Sequence, residues 1–215
     1  MARFNMSRRL WLECLFLFFA LPTLIHLMPF TRGVFIFIWM GAVFCYMVLR
    51  KDSSFDRKHL WRWEAVNRQH LKPVLIRFII GAAILTIGVY VVHPEHLFSL
   101  PKERTSLWLM VMLGYPILSV YPQELIFRAY FIHRYHKLFT NREVLFLTNA
   151  LAFGYAHILF NHWLTMLLSA IGGYLFARTY YSSRSLALAC IEHALYGCWI
   201  FTVGLGIYFY AGAMR

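Results

Sequence analysis

Apolar runs of bilayer-crossing length recur along the whole chain, separated by short polar stretches. A helix needs about 20 apolar residues to cross the hydrocarbon core. Runs near that length cover about residues 10–29, 33–49, 74–92, 107–131, 143–160 and 164–181. The last stretch, 185–213, is long for one helix and short for two, with Gly204 and Gly206 as candidate breaks. The pattern predicts an all-α, polytopic transmembrane bundle of seven or eight helices. Residues 1–215 read as one transmembrane domain, without a linker, low-complexity tract or internal repeat. The apolar run after the basic N-terminus is too long for a signal-peptide core and reads as a retained first helix.

The polar stretches give an orientation. Arg50, Lys51, Arg57, Lys58, Arg62, Arg68 and Lys72 crowd one of them; Arg134, Lys137 and Arg142 lie in a second, and Arg178 and Arg184 in a third. The alternate connections are poorer in Lys and Arg. This asymmetry predicts that the N-terminus and the basic loops are cytoplasmic. Within 51–73, Trp61 and Trp63 lie among charges, as in an interfacial helix or in a solvated loop with interfacial anchors.

Composition agrees. Hydrophobic residues make up 60% of the 215, and only 14% are charged, against about 25% in soluble domains. Mean hydropathy is +0.58. The net charge of +12 is carried between the apolar runs, which favours contact with the lipid bilayer over nucleic acid. Cys14, Cys45, Cys190 and Cys198 lie inside apolar runs without CxxC spacing and read as small hydrophobes. The expected location is a bacterial inner (plasma) membrane.

Polar groups inside a membrane are costly and tend to mark function. Here they concentrate in the C-terminal half as three clusters: Gln123, Glu124 and Arg128; Phe153 through His157, with Asn161 beyond; and Glu192, His193, Tyr196 and Gly197. At about 1.5 Å per residue, Glu124, His157 and His193 lie roughly 15, 22 and 14 Å from the nearest cytoplasmic basic residue. A buried Glu with two His suits hydrolysis: the carboxylate takes a proton from water, one imidazole shares that water, and the other donates to the oxyanion.

In order and spacing these clusters resemble the CAAX-protease and bacteriocin-processing (CPBP) family, which includes the type II prenyl-protein endopeptidases. The family signatures Glu-Glu-x-x-x-Arg, Phe-x-x-x-His and His-x-x-x-Asn/Asp correspond to QELIFR (123–128), FGYAH (153–157) and HALYG (193–197), within a core of about 105–200. The resemblance implies an eight-helix fold and an intramembrane endopeptidase that needs no cofactor and cleaves a membrane protein or peptide substrate. It implies that His157 is the partner of the attacking water, His193 the oxyanion donor and Arg128 the orienting base. Two positions depart: Gln123 stands where the family's first Glu is expected, and Gly197 where an Asn or Asp is expected. Glu124 then serves as base in a shifted geometry, or the chain does not hydrolyse peptides by the family mechanism. Asn161, Tyr196 or a backbone N–H are the candidates to complete the oxyanion hole. The alternatives are a non-catalytic protein of the same fold (scaffold, chaperone or immunity factor) and a zinc peptidase using Glu124, His157 and His193. His133 and His136 read as an interfacial basic patch, and His26, His93, His96 and His162 as interfacial.

Overall fold

The computed structural model describes residues 2–28 and 33–209. It is all-helical, with 89% helix and no strand among the described residues. The elements are α1 (2–27), α2 (Val34–Lys51), α3 (Arg68–Val92), the short α4 (Ser99–Glu103), α5 (Thr105–Leu138), α6 (Arg142–Phe160), α7 (Trp163–Ser183) and α8 (Leu186–Val203). Five of these, in α1, α3, α5, α6 and α8, are long and apolar enough to cross a membrane. Long apolar side chains such as Leu12, Ile36, Met40, Ile79, Val91, Met110 and Leu151 face outward, as a lipid solvent permits. The chain is an integral membrane protein.

Local signals set the element ends, and several lie beyond the apolar runs: α1 begins at 2 rather than 10, α3 at 68 rather than 74, and α5 ends at 138 rather than 131. Asn67 caps α3 by accepting from Gln69 N and His70 N, Asn141 caps α6 through Glu143 N, and Ser185 caps α8 through Leu188 N. α8 stops at Gly204, whose φ of 110° is left-handed. A short 3₁₀ stretch, Leu205–Phe209, follows. The final segment is thus one full helix and a tight turn as far as residue 209; the expected stretch 210–213 lies outside the described residues. Segment 51–73 contains no interfacial helix. It forms two 3₁₀ turns, Arg57–Leu60 and Trp63–Ala65, before α3 begins.

Antiparallel alternation gathers the connections at two ends. At the basic end, Ser185 Oγ donates to Arg62 O at 2.8 Å, and Arg134 forks onto both Glu13 oxygens at 2.9 and 2.8 Å. His133 Nε2 lies 2.9 Å from Asp52 Oδ2; Ser54 and His133 together hold the Asp52 carboxyl well below the usual carboxylate range. At the other end, Phe98 N donates to Val203 O at 3.5 Å and Thr165 Oγ1 to Tyr208 O at 2.8 Å.

α8 lies at the centre, packed against α3, α5 and α7. Small residues let the helices approach. Gly154 in α6 faces Ala170 and the Met166 carbonyl of α7: a Cβ there would lie 2.7 Å from both. Gly173 in α7 faces Ala150 and Phe153, whereas Gly172 faces Phe176 of its own helix. The small-residue seam between α6 and α7 is therefore made by Gly154, Ala170 and Gly173. Replacing Gly154 with Leu is expected to force α6 and α7 apart and to cost about 1–3 kcal/mol. Unfolding in detergent micelles measures this, and unchanged stability would contradict the seam.

Candidate active site

The site is built on α5, and α5 is irregular there. Two π-helical stretches, Pro116–Val120 and Leu125–Tyr130, flank the α-helical turn Tyr121–Glu124. Pro122 has no N–H to offer the carbonyl one turn earlier. Leu118 O instead accepts from Trp39 Nε1 of α2 at 3.0 Å. Such bulges re-aim side chains and recur at functional sites.

Glu124 is fully buried, and both of its oxygens face protein groups. Oε1 lies 2.9 Å from His193 Nδ1 of α8, and Oε2 lies 3.2 Å from Arg128 Nε one turn along α5. The second contact is an ion pair without the alignment of a hydrogen bond. The Arg128 guanidinium, also fully buried, is held from other sides. Its Nη1 donates to Asn149 Oδ1 at 2.9 Å, and Asn149 Nδ2 donates to Phe127 O at 2.6 Å. Its flat face covers the rings of Phe153 and Phe176, 4.6 and 5.5 Å from their centroids.

His193 is clamped in turn. Its ring stacks on Phe176 at 4.7 Å and 17°, and its Nε2 lies 3.1 Å from the Tyr115 hydroxyl. In the neutral imidazole, Nδ1–H donates to Glu124 and Nε2 accepts from the phenol. In the imidazolium both nitrogens donate, and the phenol proton is released for another acceptor. Tyr115 also explains Gly197: a Cβ at position 197 would overlap the Tyr115 ring and hydroxyl. The phenol of α5 thus fills the space beside His193 that a longer side chain on α8 would need.

His157 sits on the 3₁₀ turn that ends α6. Its Nδ1 lies 2.7 Å from Phe153 O, which assigns the proton to Nδ1 and leaves Nε2 as a lone-pair acceptor. Its ring packs on Phe153 with centroids 4.8 Å apart, and the His193 ring packs on the same Phe153 at 5.5 Å. Gln123, nearly buried, donates from Nε2 to Ser119 Oγ at 2.7 Å. An amide is not a base, but its carbonyl oxygen is an acceptor.

The structure therefore brings Glu124, Arg128 and His193 into direct contact, packs His157 against the same Phe153 ring that His193 touches, and leaves Gln123 beside Glu124. Glu124 faces Arg128 and His193 together, not Arg128 alone. Glu124, His157 and His193 do not form a group of three donor atoms within 4.8 Å; among the described residues only His93, Glu95 and His96 do. Asn161 is exposed and left-handed, and the Tyr196 ring is against Gly81 of α3; neither is positioned as Tyr115 is. Sequence reasoning missed Tyr115 and Asn149. Asn149 had a signal, an amide in an otherwise apolar span; Tyr115 had none, being one of 13 tyrosines.

Residues 105–199 match the family model described as type II CAAX prenyl endopeptidase Rce1-like. No curated protein and no solved structure matches the chain.

Gly197→Ala is expected to push the Tyr115 ring off His193 and to destabilise the protein by about 1–3 kcal/mol. Tyr115→Ala, which empties that space, is expected to remove the penalty. A double-mutant cycle of unfolding in micelles measures the coupling; strictly additive losses would mean that the ring and residue 197 do not touch.

Proposed function

We propose, on the premise that residues 105–199 are Rce1-like in sequence, that the protein is an intramembrane endopeptidase. It hydrolyses a peptide bond of a membrane-associated protein or peptide within a bundle of seven membrane-crossing helices, α4 being too short to cross. The observation that carries this reading is the 2.9 Å contact between Glu124 and His193, fully and almost fully buried. Two motifs 69 residues apart in the chain meet as a carboxylate–imidazole pair in a low-dielectric interior. There, an oriented donor stabilises a developing oxyanion far more than it would in water.

The contacts support the following roles. His157 Nε2 takes the proton of the attacking water as its oxygen adds to the scissile carbonyl. The Gln123 carbonyl oxygen helps to orient that water. His193 and the Tyr115 hydroxyl donate to the carbonyl oxygen as it becomes an oxyanion. Glu124 stays ionised and acts through His193, fixing the imidazole and supporting its protonated form, as Arg128 fixes Glu124. The proton on His157 passes to the leaving amine when the tetrahedral adduct collapses. Glu124 is then not the base in a shifted position but the group that sets the electrophilic side of the site.

The orientation supports the same reading. The basic loops gather at one end of the bundle, so the N-terminus and that end face the cytoplasm, with the plasma membrane as the location. No cofactor takes part in this scheme.

A second reading has its own observation. The amide of Gln123 stands where the resembled family has its first Glu, and the Glu124 charge is already matched by Arg128, as in a non-catalytic protein of the same fold. One experiment separates the two. Purified protein is assayed for cleavage of a membrane-peptide library beside Glu124→Gln, His157→Ala, His193→Ala, Tyr115→Phe and Gln123→Glu, with unfolding curves as the check on folding. The endopeptidase reading expects kcat/KM to fall by at least ~10²-fold in the His157, His193 and Glu124 variants. Loss of the Tyr115 hydroxyl is expected to cost about 10²-fold in kcat. An inert wild type whose Gln123→Glu variant cleaves would establish the non-catalytic reading instead.

Activity is also expected to survive chelation by EDTA. Inactivation by the chelator, with restoration by Zn²⁺, would return the zinc-peptidase alternative to first place.

A further inference from the structure

We propose that the turn between α3 and α4 binds one divalent transition-metal ion, with Zn²⁺ as the ion its donors fit, through His93, Glu95 and His96. This site lies outside the candidate active site and does not depend on the proposed peptidase activity.

Donor identity comes first. Two imidazoles and a carboxylate are a common protein set for Zn²⁺, with one position left for water or a further ligand. They suit Zn²⁺ and its transition-metal neighbours better than Mg²⁺ or Ca²⁺, which favour all-oxygen sites. All three residues are at least partly exposed, so an ion and its water have access.

Spacing comes second. His93 Nδ1 lies 3.2 Å from Glu95 Oε1, and His96 Nε2 lies 3.8 Å from the same oxygen. One donor atom from each residue falls within 4.8 Å of the other two. Donors around a tetrahedral Zn²⁺ with bonds of about 2.0–2.1 Å are separated by roughly 3.3 Å. The two His–Glu separations already approach that edge, and a small rotation of the imidazoles completes it. The rings are 5.5 Å apart and inclined at 46°, so they converge on the carboxylate without stacking.

The backbone holds this spacing in advance. Pro94 fixes its own φ, and the 3₁₀ turn Pro94–His96 is closed by His96 N to His93 O at 2.9 Å and Leu97 N to Pro94 O at 3.1 Å. His93 caps this turn from outside it, and the tight turn brings the imidazoles of His93 and His96 to the same Glu95 oxygen. The turn is also tied to the end of α8. The His96 carbonyl rests against Gly204, where any Cβ would overlap it, and Phe98 N donates to Val203 O. Lys102 Nζ closes the far side by donating to Leu97 O at 3.1 Å. A bound ion would therefore lock the α3–α4 connection against the end of the helix that carries His193.

The test uses tag-free, chelator-treated protein in detergent and Zn²⁺ alone as the probe, with calorimetry for affinity and stoichiometry and thermal unfolding as a second readout. We expect about one Zn²⁺ per chain and a rise in Tm with added Zn²⁺, since an ion that binds only the folded state stabilises it. His93→Ala, Glu95→Gln and His96→Ala are each expected to weaken binding by at least ~10-fold and to abolish the Tm shift. The double variant His133→Gln/His136→Gln, at the opposite end of the bundle, is expected to bind as wild type does. Wild-type affinity weaker than ~0.1 mM, or binding that survives His93→Ala and His96→Ala unchanged, would overturn the proposal. Loss of binding in the His133/His136 variant alone would place the ion at the basic end and equally overturn it.

Discussion

A carboxylate with no access to water must find its partners inside the protein, and the organisation of the C-terminal half follows from how Glu124 does so. Its two oxygens face Arg128 and His193. The buried arginine this introduces needs partners of its own, and it finds them in Asn149, Phe153 and Phe176. One charge on α5 thereby fixes a side chain on each of α6, α7 and α8. Removing one member of such a buried set costs several kcal/mol, because the others are left without compensation. The cluster is therefore a constraint on the fold and a concentration of buried charge among the described residues.

The irregular course of α5 is the local device that permits this. A regular helix satisfies every backbone carbonyl internally and leaves little for neighbours. Pro122 and the two π-helical stretches release carbonyls at Leu118 and Phe127, and side chains from α2 and α6 accept the task of capping them, through Trp39 and Asn149. The helix that carries the motif is thus docked by its own imperfections. The same logic places Tyr115: a glycine at position 197 opens a space on α8, and the phenol from α5 occupies it while reaching His193.

Other ion pairs do a simpler job. Arg77 reaches from α3 to the buried Glu192 at 2.8 Å and to Thr179 of α7 at 2.9 Å, which ties the outer helices to α8 next to His193. Glu13 gathers Arg134, Tyr130 and Tyr135 onto α1. These contacts keep α8 centred while its His193 face is held by the α5 cluster. The His93–Glu95–His96 turn sits where α8 ends, so rigidity there bears on the same helix.

The approximate positions of the helices were legible in the sequence because they depend on near neighbours: apolar runs of bilayer length and the glycine stop at Gly204; the polar ends of α3 and α5 beyond those runs were not. Glu124, Arg128 and His193 were legible as well, since a polar residue in an apolar span is conspicuous wherever it points. The expectation of an interfacial helix or a plain loop at 51–73 was less determined, because short 3₁₀ turns are set by the helices they touch; Trp61, for example, stacks on Tyr121 of α5 at 5.4 Å. Tertiary structure alone decided which groups meet. It paired Glu124 with His193 as well as Arg128, packed His157 and His193 on one phenylalanine ring, and supplied Tyr115 at the position Gly197 leaves open. The physical reason is that propensity and hydropathy are properties of a residue and its neighbours in the chain. Contact between α5 and α8, by contrast, is chosen by the packing of every helix around them.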